Sequence, residues 1–166
     1  PLITGFKIAL VLLFVHNLCV LIIAMKKTLH FSIIINAPRT KVWSSMLEKE
    51  TYEQWTSVFS PGSTYQGSWE TGSPIRFVGP EGDGMISEIA ENRPDQFVSI
   101  RHLGWIMQGK EDTESDQVKG WAPAYENYTF SDENGMTKVD VTLDVTELFE
   151  KDMQDAWPKA LLKLKA

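Results

Sequence analysis

Apolar and polar positions change period along the chain, and each change marks an element. Leu29, Phe31, Ile33 and Ile35 alternate with His30, Ser32 and Asn36, which predicts a strand with one buried face, broken only by Ile34 on its polar side. Asn36-Ala37-Pro38 ends it. Behind that proline, Val42, Trp43, Met46 and Leu47 recur at helical spacing, so a short helix is expected from Pro38 to about Glu48. A second short helix, Thr51 to Val58, brings Tyr52, Trp55 and the following Phe59, and Ser60-Pro61-Gly62 closes it. Strands then alternate with turn residues: Ser63 to Trp69, Pro74 to Val78, Gly84 to Glu91 ahead of an Asn92-Arg93-Pro94-Asp95 turn, and Gln96 to Trp105. Gln108 to Lys119 is polar enough to read as a long exposed loop. Tyr125 to Ser131 and Met136 to Thr146 form a hairpin around Asp132-Glu133-Asn134-Gly135, whose Asn-Gly is a strong turn signal. Finally, Met153, Ala156, Trp157, Ala160, Leu161 and Leu164 make a helical stripe within Lys151 to Ala166, and Pro158 predicts a kink in it. The stripe needs a partner, and a one-faced antiparallel sheet supplies it.

Composition changes this picture at the beginning of the chain. Leu2 to Ala24 is almost wholly apolar, with Lys7 its one charge, close to the roughly 20 residues of a membrane span. Residues 1–24 are therefore set apart as an apolar leader, a spurious extension ahead of Met25 or a membrane anchor. Residues 25–166 form one domain. Without Lys7 the domain carries 15 basic residues against 22 acidic ones, a net charge of −7, so no nucleic-acid partner is expected. The one cysteine, Cys19, falls in the leader, which suits a reducing, cytoplasmic setting, or membrane anchoring if the leader is genuine.

The order strand, two helices, six strands, helix resembles the START-like, helix-grip superfamily, also called SRPBCC, once particular residues are added to it. These are Ala37-Pro38 with Val42-Trp43, Trp55, Gly84 to Ile89 with Asn92-Arg93-Pro94, and Trp157 followed by Leu161 and Leu164. Within that superfamily the chain resembles the branch named after the activator of the heat-shock-protein-90 ATPase. The resemblance implies an α+β fold: a curved antiparallel sheet of about seven strands, two short helices after the first strand, and a long C-terminal helix packed across the sheet over an apolar cavity. It implies no single activity, because this fold hosts binders, enzymes and co-chaperone modules.

Candidate chemistry is sparse. Six tryptophans are many for 166 residues, and an indole gives a pocket a large apolar face with one N–H donor. Trp43 belongs to the core side of the first helix. The expected lining of the cavity is Trp55, Phe59, Trp69, Phe77, Met85, Trp105, Trp121, Tyr128 and Trp157. Core packing is the competing role for every one of them. Adjacent Arg101 and His102 must point to opposite faces of their strand, whereas Glu126 shares a face with Tyr128. His102 and Glu126 are the polar groups that could reach the pocket, although no spacing ties a serine or carboxylate to His102. Neither His30 and His102 nor the acidic run Glu111 to Asp116 has metal-ligand spacing, so no metal and no cofactor is expected. The expectation is thus non-catalytic binding of a small hydrophobic molecule. The alternatives are a protein-interaction module for a chaperone partner, and a cyclase- or hydrolase-type enzyme built on His102 with Glu126.

Overall fold

Eight strands and four helices lie within residues 26–166, the part of the chain described by the computed structural model. The apolar run Leu2 to Ala24 falls outside it. Among the described residues no helix is long and apolar enough to cross a membrane. The strands are β1 (Lys26–Ile35), β2 (Thr64–Gly67), β3 (Pro74–Val78), β4 (Gly84–Arg93), β5 (Phe97–Met107), β6 (Lys110–Asp112), β7 (Ala124–Glu133) and β8 (Met136–Thr146). All pair antiparallel in the order β1-β8-β7-β5-β4-β3-β2, with the short β6 on β5. Helices α1 (Arg39–Leu47), α2 (Lys49–Thr56) and α4 (Glu147–Lys165) cover one face, and α3 (Asp116–Lys119) sits between β6 and β7.

Alternation decides which side chains each strand sends under the helices. Register places Phe31 opposite Val141, Val141 opposite Tyr128, and Tyr128 opposite Val98, a continuous row of large apolar groups across four strands. Arg101 faces the other way, its guanidinium 2.8 Å from Glu88. The β7–β8 hairpin turns on Asn134-Gly135, both with positive φ (56° and 82°), the pair of left-handed residues that a two-residue turn between twisted strands needs.

Three expectations need correction. The polar segment Gln108 to Lys119 is ordered structure: Asp112 accepts from the amides of Glu114 and Ser115, and Ser115 Oγ caps α3 by accepting from Val118 N at 3.2 Å. Val118 is fully buried, so one apolar residue anchors a stretch whose composition reads as solvated. Next, Asn92 and Arg93 continue β4, and the turn falls on Pro94 to Gln96, with the Gln96 amide donating to Arg93 O. Last, α4 begins at Glu147, six residues before the first apolar residue of the stripe, Met153, because Glu147 and Glu150 in the first turn suit a helix N-terminus and Glu150 accepts from Lys27 Nζ of β1 at 2.7 Å. The helical residues of α4 continue on both sides of Pro158. The proline lies on the exposed side while its neighbour Trp157 is buried, so the bond it lacks is on the side open to water.

Candidate functional site: a polar chain on the concave face

Trp157 fills the middle of the space between the sheet and α4. It is 2% exposed, stacks on Phe31 at 5.8 Å and meets Phe59, Trp55 and Tyr128 at 5.2, 5.9 and 6.1 Å. Tyr52 extends this cluster toward Trp69 and Phe77, at 6.2 and 6.1 Å. Trp55, Phe59, Trp69, Phe77, Tyr128 and Trp157, all expected to line a cavity, are therefore brought together, but largely against one another. Trp55 spends its N–H on Met46 O. Met85 stands opposite Phe77 in register and keeps partial exposure. Trp105 and Trp121 form a separate pair at 5.7 Å beside the β6–α3 segment.

One part of the concave face is not apolar. His102 sits opposite Ser87 on β4 and Ala124 on β7, and its Nδ1 lies 2.8 Å from Ser87 Oγ. On its other side His102 Nε2 is 3.6 Å from Glu126 Oε2, while Glu126 Oε1 accepts the hydroxyl hydrogen of Tyr128. Ser87, His102, Glu126 and Tyr128 thus form a chain across three strands, with the Phe77 ring 6.1 Å from the imidazole. Burial first, and the Glu126 charge second, hold the hydroxyls of both Tyr52 and Tyr128 well above the ordinary phenol value of 10.0.

Water still reaches this chain. The side chains of His102 and Glu126 keep 10% and 16% exposure, whereas Ser87 and Tyr128 are sealed at 2% each. The opening follows from coverage. α4 packs on β1 and β8 and against α2, leaving Phe77, Met85 and Trp105, toward the β3–β5 side, half-buried. Two recesses open on the surface, away from this chain. One of about 280 Å³ lies between α1 and the β2–β4 edge, lined by Trp43, Leu47, Tyr65, Trp69 and Asn92. The other, of about 220 Å³, lies where Ile35 and Val42 meet Leu164. Neither includes His102 or Glu126.

Sequence reasoning named His102 and Glu126, and paired them only in the enzyme alternative, with no spacing to tie them; it missed Ser87 and Tyr52. Ser87 was within reach, since alternation along β4 puts it on the same face as Met85 and Ile89. The pairing across strands was not, because bulges between Ile86 and Ser87 and between Ile89 and Glu91 shift the register twice. Tyr52 reads as ordinary core from its helix.

A curved antiparallel sheet closed over a C-terminal helix, with two short helices inserted after the first strand, defines the helix-grip, or SRPBCC, class. The chain belongs to the activator of Hsp90 ATPase homolog 1-like family, whose profile matches residues 36–166. Solved structures share the fold at low identity. A protein of Rhizobium leguminosarum is 14% identical with a TM-score of 0.65, over 85% of this chain and 93% of its own. A protein of Mesorhizobium loti is 14% identical with a TM-score of 0.63, over 84% and 94%. The Aha1 dimer from Colwellia psychrerythraea is 17% identical with a TM-score of 0.62, over 84% and 93%. None of the curated proteins matches the chain.

Proposed function

We propose that the protein binds a small, mainly apolar molecule at the open side of its concave face, with the His102–Glu126 pair as the polar anchor and no catalysis. The observation that carries this reading is the solvent-reached polar chain on an otherwise aromatic and aliphatic surface. Withdrawing a carboxylate and an imidazole from bulk water is costly, and neither group takes part in the backbone ladder that holds the strands together. Phe77, Met85, Trp105 and Trp121 are the half-buried apolar groups the ligand would cover, and Trp55, Phe59, Trp69, Tyr128 and Trp157 would form the packed wall behind them. Apolar surface removed from water contributes about 25 cal/mol per Å², so a ligand of modest size reaches micromolar affinity without many polar contacts. A cytoplasmic setting and the absence of nucleic acid among the partners go with this reading. The test is a thermal-shift screen of small hydrophobic molecules on the 26–166 domain. Concentration-dependent stabilisation by one chemical series is expected, and uniformly flat melting curves would remove the proposal.

A second reading is favoured by the family description and by the likeness to the Aha1 dimer: a module that engages a chaperone of the Hsp90 class. It predicts saturable binding to the purified chaperone by calorimetry, undiminished when the apolar site is occupied. No heat of binding at tens of micromolar of each protein would exclude it.

A further inference from the structure

The Ser87–His102–Glu126–Tyr128 chain also constrains what the ligand must carry. Ser87 is 2% exposed and its hydroxyl has a single proton. Among the described residues the hydroxyl makes one hydrogen bond, to His102 Nδ1 at 2.8 Å. A buried hydroxyl that found no acceptor would leave its donor unsatisfied, so Ser87 donates to Nδ1, and Nε2 is the ring nitrogen that carries hydrogen. That N–H faces Glu126 Oε2 across 3.6 Å, beyond the 2.7–3.2 Å range of a proper N–H···O bond. Glu126's other oxygen is already occupied by the Tyr128 hydroxyl. The result is one free donor and one free acceptor, side by side on side chains that keep 10% and 16% exposure, with the Phe77 ring 6.1 Å from the imidazole.

Two atoms 3.6 Å apart can both be hydrogen-bonded by a third atom standing at the apex between them, at ordinary distance from each. The group that serves them must accept from Nε2–H and donate to Oε2. A hydroxyl does both. An ether or carbonyl only accepts, and an ammonium only donates. We infer that the ligand of this site is a hydroxylated apolar molecule, an alcohol or phenol whose O–H bridges His102 Nε2 and Glu126 Oε2 while its hydrocarbon body lies along Phe77 and Met85. This rests on the proposed binding role and adds the ligand's chemical class. No bond is made or broken in the ligand.

The test uses three probes of one shape: 2-naphthol, 2-methoxynaphthalene and naphthalene. Affinities are read by heteronuclear NMR titration of the protein, following the Met85 methyl and the His102 ring. 2-Naphthol is expected to bind at least about tenfold more tightly than either analogue, since one of its two hydrogen bonds is to a charged group. The methoxy compound, which accepts but cannot donate, should fall with naphthalene. His102→Leu should bind 2-naphthol no more tightly than it binds naphthalene, both measured on the variant itself, its fold checked by melting. Should that variant not fold, the probe series on the natural chain decides by itself. Equal affinity for all three probes at Met85 would overturn the hydroxyl requirement and leave the apolar binding role standing. No binding of any probe up to millimolar concentration would overturn both. Hydroxyl-dependent binding that perturbs neither His102 nor Met85 would also overturn the inference.

Discussion

Truncating Trp157 tests whether the centre of the space under α4 is packed or vacant. The indole is 2% exposed and meets the rings of Phe31, Trp55, Phe59 and Tyr128, all with centroids between 5.2 and 6.1 Å. Replacing a buried tryptophan by alanine costs about 3–5 kcal/mol, part from lost transfer energy and part from the void left behind. Because Phe31, Trp55, Phe59 and Tyr128 would all be deprived of an aromatic partner, and each such pair adds about 0.5–1.5 kcal/mol, Trp157→Ala belongs near the upper end. For a domain of this size about 1 kcal/mol moves the melting temperature by roughly 2–4 °C, so the drop should be about 10–20 °C. Thermal unfolding followed by far-ultraviolet circular dichroism measures that drop, urea unfolding measures the free-energy loss, and the urea midpoint should fall with little change in slope. Trp157→Phe, which keeps a ring on Phe31 and Phe59, should recover most of the loss. A loss below about 1 kcal/mol for the alanine variant would mean that the surrounding rings do not depend on Trp157. The ligand space would then belong under the middle of α4 rather than at its open side.

Other perturbations probe other parts of the fold. Pro158→Ala restores a helical N–H on the exposed side of α4 and should stabilise by about 1–3 kcal/mol, less about 0.4–1 kcal/mol for the freer unfolded chain; a destabilised variant would show that the proline's geometry is needed. Gly104→Ala would set a Cβ 2.2 Å from Asp112 O, so it should push β6 off β5 and speed amide exchange across residues 110–119, and unchanged exchange there would contradict the close approach. The phenols of Tyr52 and Tyr128 are held above 10.0 in the folded state, chiefly by burial, so the stability they contribute is complete below that pH and is lost as pH rises past it. The unfolding midpoint should thus decline above about pH 10, and Tyr52→Phe or Tyr128→Phe should flatten the decline. Parallel pH profiles for the natural chain and both variants would contradict this.

The fold was legible because its signals are local. Alternation in Leu29 to Ile35 and in Val139 to Val145, the Asn134-Gly135 turn and the stripe ending in Leu161 and Leu164 each name their element without tertiary information. What stayed hidden depends on partners distant in sequence. Val118 reads as a lone apolar residue in an acidic loop until β5 lies beneath it. Ser87, His102 and Glu126 are ordinary residues singly; register shifts between β4 and β5 set Ser87 opposite His102, and the β5–β7 pairing brings Glu126 to its other side. Periodicity puts Trp157 on the buried stripe of α4, yet it carries no information on whether rings on a buried face leave a gap or close one. Trp55, Tyr52 and Trp157 close it, and the opening lies toward Met85 and Glu126 instead.

The most direct measurement of the central claim is a carbon-detected NMR titration of the protein with the best stabilising compound from a hydrophobic screen, looking for intermolecular contacts. The account predicts contacts to the Met85 methyl and the Phe77 ring together with a perturbed His102 imidazole. Contacts confined to the recess around Trp43 and Asn92, with His102 and Met85 unmoved, would contradict it.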